Sequence, residues 1–325
     1  MAKVERIDTH AHFLPEFYRK AMVEEGHSNP DGMPAIPHWD EQSHLDFMKA
    51  GGISKSYLSI SSPGVHFGDD AKAKELTRQV NDHAASLAQR HPEKFGSFAS
   101  LPLPDVDAAL EEIAHADDEF HADGFTLLTN YHGIYLGDTL FELIFEELNR
   151  RKAKVFLHPT TGCSCIGGRP QLFKPLSYPS PVMEFFFDTA RAVVNLIMSG
   201  TISRYVNITF LIPHCGAVLP PLIDRLSNFA TKILASDADF TIEDIQHIFR
   251  ERFYYDLAGF SMQNQIHGTL RWAGPERLLY GSDYPYTPAE GIAFQVATMD
   301  EEAKKLWSDE TIKQVYAGNA RALFG

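Results

Sequence analysis

The first residues able to do chemistry are His10 and His12, within Asp8-Thr9-His10-Ala11-His12, which closes the short apolar run at the start of the chain. Side chains two apart on a strand leave it on the same side, so both imidazoles project together from a strand end. Paired neutral imidazoles suit a borderline divalent cation, although the motif is weak without company. His158 follows Lys154-Val-Phe-Leu157, His214 follows Phe210-Leu-Ile-Pro213, and Asp283 stands in Leu278-Leu-Tyr-Gly-Ser-Asp-Tyr-Pro285. Each of these polar groups ends an apolar run. Brought to one place, they could hold a metal ion and move protons beside it.

The elements that must position them follow from periodicity. Short β-branched or apolar runs fall at Val4–Ile7, Ser56–Ile60, Phe95–Leu101, Gly124–Leu128, Lys154–Leu157, Asn207–Ile212, Phe253–Leu257 and Arg277–Tyr280. Segments of helical spacing alternate with them: Glu41–Ala50, Asp70–Arg90, Val106–Glu119, Leu140–Arg151, Pro181–Met198, Leu219–Leu234, Met262–Trp272 and Ala289–Met299. Strand then helix, eight times without a break in composition, predicts a (β/α)8 TIM barrel in a single domain over 1–325; a doubly wound sheet is the alternative. The Gly- and Pro-rich stretches Pro15–Pro37 and Thr160–Pro181 then become inserted loops on the C-terminal face, where barrel active sites are built. The tail Asp309–Phe324 has helical spacing and is expected outside the barrel.

Composition narrows the function classes. The chain has 325 residues, 44% hydrophobic and 22% charged, with a formal charge of −14, so it offers no basic footprint for nucleic acid or an anionic membrane. Its longest apolar stretch, Ile208–Ile223, is interrupted by Thr209, His214 and three prolines and is not a membrane span. Lys3, Glu5, Arg6 and Asp8 near the start exclude a secretory signal in those residues. Three cysteines, an odd number, fit a reducing compartment, so a cytoplasmic location is expected. Cys163 and Cys165 form a C-x-C without a second pair, which reads as loop and core thiols.

The order His-x-His on strand one, His on strand five, His on strand six and Asp on strand eight resembles the amidohydrolase superfamily. Strand four ends at Leu128-Thr129 and offers no lysine to bridge two metals, which points to a mononuclear site. His214-Cys-Gly-Ala-Val-Leu-Pro-Pro-Leu-Ile-Asp-Arg225 and Tyr280-Gly-Ser-Asp-Tyr-Pro285 resemble the decarboxylase branch of aminocarboxymuconate semialdehyde, resorcylate and salicylate decarboxylases, and most nearly the fungal 6-methylsalicylate decarboxylases. The resemblance implies His10, His12, His158 and Asp283 as ligands of one divalent metal, with His214 beside it as an acid/base group. It also implies that Arg225 reaches across a homodimer interface to the neighbouring substrate's carboxylate. Asp8 is expected to orient an imidazole rather than bind metal.

The implied substrate is a small aromatic carboxylic acid of the salicylate type, 6-methylsalicylate above others, with Asp283 as proton donor and His214 as alternative donor. Zinc is the expected metal and manganese the alternative. Phe13 and Phe186 are the first aromatic candidates for pocket walls, followed by Phe185 and Tyr284. The competing readings are a mononuclear metal-dependent hydrolase, a lactonase or amidohydrolase using the same ligands, and a non-enzymatic barrel. The remaining histidines, among them His27, His38, His44, His66, His83 and His132, carry no partner motif and read as surface or capping residues.

Overall fold

A computed structural model of the chain describes residues 4–166, 169–172, 177–234 and 241–325. Eight strands form one sheet in chain order: β1 (Arg6–His12), β2 (Ile53–Ser59), β3 (Phe95–Ala99), β4 (Gly124–Leu128), β5 (Lys154–His158), β6 (Thr209–Ile212), β7 (Phe253–Asp256) and β8 (Leu278–Leu279). Every neighbouring pair is parallel. The sheet closes where β1 meets the end of β8: Thr9 N donates to Tyr280 O at 2.9 Å and His12 N to Tyr284 O at 2.7 Å. This is the expected (β/α)8 barrel.

A helix follows each strand: Glu41–Gly51, Asp70–Arg90, Val106–Asp118, Glu142–Arg150, Glu184–Met198, Ile223–Asn228, Gln265–Thr269 and Ala289–Leu306. Several start where an aspartate caps free backbone N–H groups. Asp40 accepts from Ser43 N at 2.8 Å, and Asp69 and Asp105 cap the next two helices alike. The long loop after β1 also carries a helix at Glu16–Glu24, and two small hairpins sit in the loops after β4 (Asn130–Tyr131 with Ile134–Tyr135) and β5 (Cys163–Ile166 with Arg169–Leu172).

The barrel is filled rather than hollow. Ile7, Tyr57, Phe98, Phe156, Leu211 and Leu279 form one buried cluster contributed by six strands. The tail does not lie on the outer wall: Ala317 and Ala320 join this cluster, and the Phe324 ring stacks on Tyr57 at 4.1 Å and meets Phe98 at 5.8 Å. It therefore plugs the end of the barrel opposite the strand C-termini. Arg6 ties the last barrel helix and the tail to β1, with its guanidinium on Asp300 of the helix Ala289–Leu306 at 2.5 Å and over the Tyr316 ring of the tail at 4.8 Å.

Phe156 is fully buried and touches both the plugged floor, through Phe98, and the histidines above it. Phe156→Ala should cost about 3–5 kcal/mol in urea-unfolding free energy through the cavity it leaves; a loss below about 1 kcal/mol would mean that the interior collapses around the gap.

Candidate metal centre

Strand β1 delivers two fully buried imidazoles, each pinned through Nδ1. His10 Nδ1–H donates to Asp256 Oδ2 at 3.0 Å, and His12 Nδ1–H donates to Ser59 Oγ at 2.9 Å, whose own hydrogen goes to Ala11 O. At the end of β5, His158 Nδ1–H donates to Pro159 O at 2.7 Å. A carboxylate, a carbonyl or a hydroxyl whose hydrogen is already given can only accept, so each Nδ1 bears the hydrogen and, in the neutral ring, each Nε2 is left as a lone pair. The Nε2 atoms of His10 and His12 are buried and have no hydrogen-bond partner among the described residues. Ligand atoms of His10, His12 and His158 lie within 4.8 Å of one another.

Asp283 faces this cluster with Oδ1 3.3 Å from His12 Nε2 and 3.6 Å from His10 Nε2. Its backbone is in the left-handed region (φ 61°), held by Asp283 N donating to His10 O at 2.8 Å and by Thr287 Oγ1 on Oδ2 at 3.2 Å. The chain can pass so close to β1 because residue 281 is glycine: a Cβ there would stand 2.8 Å from that of His10. Asp8 is fully buried, and instead of orienting an imidazole it accepts from Ser282 Oγ at 2.5 Å, Ser282 N at 3.0 Å and His10 N at 3.2 Å. It fixes the turn that presents Asp283, which corrects the sequence expectation.

His214 follows β6 in another left-handed turn (φ 52°), with its ring 5.0 Å from that of His10 and its Nδ1 buried without a partner. Gln265 Nε2 donates to His214 O at 2.6 Å and Ala217 O at 2.7 Å, so the turn is held from outside. Asp256, at the end of β7, supports both halves of the cluster: one oxygen takes His10 Nδ1–H, and the other takes the backbone N–H of His214 at 3.1 Å and of Ala258 at 3.0 Å. His10, His214 and Asp256 also satisfy metal spacing, but these hydrogen bonds occupy both Asp256 oxygens and make it a support for His10.

The charges are consistent with a cation site. Burial lowers the pKa of His12, His158 and His214, so these rings are neutral. Burial alone would lower His10 too, but the carboxylates of Asp256, Asp283 and Asp8 together outweigh it and raise His10 to about 8, so in the metal-free protein below that pH its Nε2 carries a proton that a bound cation must displace. Asp283 is held well below the ordinary carboxylate range: its burial acts upward, and the imidazoles of His12 and His10 override it. Unpartnered Nε2 atoms, buried and converging with an ionised carboxylate, are a donor set that fits one divalent ion.

The five chemistry-bearing residues read from the sequence therefore meet. Phe186 joins them, stacked on His214 at 5.3 Å, and Phe185 lies 6.2 Å from His158. Phe13 does not: one residue beyond His12, strand alternation turns it away, and its ring lies parallel to His83 at 6.2 Å and against Trp39. Tyr284 likewise stacks on Phe47 at 4.1 Å. Arg225 is exposed on its helix with its guanidinium over Phe229 at 5.2 Å, outside the cluster within this chain. His44 is fully buried and accepts from Trp39 Nε1 at 3.0 Å, contrary to its surface reading, whereas His38 is exposed and paired with Asp40. Cys163 and Cys215 are buried; the Cys165 side chain lies outside the described residues. The sequence reading missed Asp256, Ser59, Ser61, whose Oγ is 3.4 Å from His158 Nε2, and Tyr286, whose ring is 5.6 Å from that of His12. Asp256 had a signal, since it ends the apolar run Phe253-Tyr-Tyr.

Metal-ligating groups at the C-terminal mouth of a closed parallel barrel define a metal-dependent barrel enzyme scaffold. The chain belongs to the amidohydrolase family, whose profile matches residues 7–325. It is 38% identical to the decarboxylase macB of Penicillium terrestre over 311 residues, covering 91% of this chain and 88% of that protein. It is 34% identical to the 6-methylsalicylic acid decarboxylase acuB of Aspergillus aculeatus, covering 98% of this chain and 96% of the other. Among solved structures, it superimposes on a crystal structure described as an amidohydrolase II with a TM-score of 0.86 and 35% identity, covering 98% of this chain and 99% of that one.

Asp256→Asn should leave the fold intact and weaken divalent-metal binding by about 10–100-fold in a chelator competition, because it loosens the grip on His10. Binding to Nε2 requires His10 to be neutral, so metal affinity should fall by about tenfold per pH unit as pH drops below about 8. A flat profile between pH 6 and about 8 would mean that metal binding displaces no proton from His10 in that range.

Proposed function

We propose that the protein is a metal-dependent, non-oxidative decarboxylase of a salicylate-type aromatic acid, converting 6-methylsalicylate to 3-methylphenol and CO2. The observation that carries this reading is the convergence of unpartnered His10 and His12 Nε2 atoms on an ionised Asp283, in a chain 34% identical to a 6-methylsalicylic acid decarboxylase. The relatives macB and acuB are named as decarboxylases, which favours this over a lactonase or amidohydrolase built on the same ligands. The proposal treats 1–325 as one catalytic domain, supported by the family match over 7–325. No helix among the described residues is long and apolar enough to cross a membrane, and a cytosolic location belongs to the same proposal.

His10, His12, His158 and Asp283 would hold the ion; zinc is our assignment from the nitrogen-rich donor set, with manganese the alternative. When bound, it supplies positive charge to the carboxylate and the neighbouring phenolic oxygen of the substrate. Asp283 is ionised in the free protein, so an Asp283 oxygen first accepts the phenolic proton and then delivers it to the ring carbon bearing the carboxylate. The C–C bond breaks, its electron pair stays on the ring, CO2 departs, and the phenolate regains a proton from solvent. His214, neutral and with Nδ1 unpartnered among the described residues, is the alternative donor once it has itself taken up the phenolic proton in place of Asp283, and Phe186 packs against it as a face for the aromatic ring.

Arg225 is proposed to bind the carboxylate of the substrate in a second copy of the chain, making a homodimer. Support comes from its exposure and from the apolar side chains around it, Leu222, Phe229 and Ile233, which are 46%, 41% and 65% exposed. The net charge of −14 does not oppose an anionic substrate, because salt screens distant carboxylates beyond about 10 Å while an ion and Arg225 act at contact.

Incubation of metal-quantified protein with 6-methylsalicylate in D2O should release CO2 and place one deuterium on the ring, with the rate falling by about 10²–10⁴-fold in Asp283→Asn. Metal-loaded protein that releases no CO2 from hydroxybenzoates but incorporates labelled water oxygen into a cleaved lactone would replace this reading by hydrolysis. Arg225→Ala and Asp283→Asn, each inactive alone, should recover about a quarter of wild-type activity when mixed and allowed to exchange subunits, because one hybrid site is intact. Absence of recovery despite exchange would remove Arg225 from the partner's site.

A further inference from the structure

Beside the metal centre, on the same C-terminal face, the loops after β1, β2, β4 and β5 wall a cavity of about 710 Å³, within the size range of small-molecule pockets. The two spaces share a thin partition. Thr160 lines the cavity and its Oγ1 is 2.7 Å from Ser62 Oγ, whereas Ser61 and His158, just upstream of each, face the metal centre.

Most of the side-chain hydrogen-bond donors on the cavity wall are committed within the protein. Asn29 Nδ2 donates to Met33 O and Pro34 O, Asn130 Nδ2 to Asp188, Tyr178 Oη to Glu184, and Thr161 Oγ1 to Asp31 at 2.6 Å. His66 is locked as well. Its Nε2–H donates to Asp70 Oδ1 at 2.8 Å and its Nδ1 accepts from Gly68 N at 3.2 Å, so the 2.8 Å contact with His132 is made by the Nε2–H of His132. The tight turn at His132-Gly133, with φ of 51° and 89°, aims this ring from the small hairpin after β4. What remains without a partner among the described groups is the Nδ1 lone pair of His132 and both ring nitrogens of His27, one an N–H donor and the other an acceptor, beside the Asp31 carboxyl. Among the described lining residues there is neither lysine nor arginine. Val65, Phe67 and Leu128 supply apolar wall, with the Phe67 ring 4.9 Å from that of His27.

We propose that this cavity binds a small neutral phenol, whose O–H donates to Nδ1 of His132 and whose oxygen accepts the N–H of His27, while its ring lies on Phe67, Val65 and Leu128. The biological identity of that phenol rests on the function proposed above, because decarboxylation of a hydroxybenzoate leaves a phenol, which is uncharged near pH 7. A carboxylate is disfavoured: no lysine or arginine stands among the described lining residues, Asp31, Asp70 and Glu25 stand around the space, and burial keeps His27 and His132 neutral at that pH. A protonated amine is disfavoured because burial pushes the Asp31 carboxyl up and Thr161 already donates to it. The chemistry of the two neighbouring spaces is thus different: one built around positive charge for the acid, the other around neutral imidazoles for the phenol.

The test is calorimetric titration of the metal-loaded protein with 3-methylphenol, in the presence and absence of saturating salicylate. Binding should persist with salicylate, and His132→Ala and His27→Gln should each weaken it about fivefold, the worth of one hydrogen bond to a neutral group, with unchanged melting temperature. The proposal is overturned if salicylate abolishes phenol binding, if neither variant changes the affinity, or if benzylamine binds more tightly than 3-methylphenol. A protein that shows the expected phenol binding but decarboxylates no hydroxybenzoate keeps this cavity assignment and loses the proposed function. One that decarboxylates but binds no phenol here does the reverse.

Discussion

Bare imidazole lone pairs can converge in a buried space only if each ring is held through its other nitrogen. That constraint organises this protein. Asp256, Ser59 and the carbonyl of Pro159 each take one Nδ1–H, and each leaves an Nε2 facing inward. A buried polar atom without a partner costs about 1–3 kcal/mol, so the scaffold carries a local instability that a cation relieves. It can carry it because the supports belong to different strands: β7 holds the ring of β1, β2 holds the second ring of β1, and the loop after β5 holds its own.

Closure of the barrel and the placement of Asp283 are the same event. The hydrogen bonds that join β1 to the end of β8 run through Thr9, His10 and His12, the segment that carries both imidazoles. Asp8 draws Ser282 onto that segment, and glycine at 281 removes the Cβ that would collide with His10. Below, Phe156 touches the rings of His10 and His158, while the tail packs Phe324 onto the floor of the same interior. The metal centre thus stands on a filled column of side chains, and its precision depends on packing two layers beneath it.

The barrel was legible because eight apolar runs alternate with eight helical segments, and the cluster because polar residues end those runs where the fold puts its mouth. What was not legible depended on finer geometry. Phe13 satisfies nearness to a strand end but not alternation: its neighbour His12 takes the inward side and it takes the other. Asp256 was absorbed into the run Phe253–Leu257, although it ends the strand as His158 ends β5, because a carboxylate that supports a ring and one that binds metal look alike in sequence. The tail was placed outside because helical spacing records an apolar face but not which surface covers it. The histidines of the second cavity belong to separate loops, and no motif links His27, His66 and His132 until the barrel brings those loops together.

The two histidine clusters show that the same side chain takes its chemistry from what its other nitrogen meets. In the metal centre the acceptors sit on Nδ1, so Nε2 lone pairs gather and attract a cation. Across the partition, Asp70 and Gly68 occupy both nitrogens of His66, which in turn occupies one nitrogen of His132, so a relay of committed groups leaves a single acceptor at the rim. Neither outcome follows from the number of histidines or from net charge. Both follow from which backbone and carboxylate groups the loops supply. A carboxylate removed from one cluster would change its ligand class more than a histidine added to it, because the carboxylate decides where the ring's proton resides.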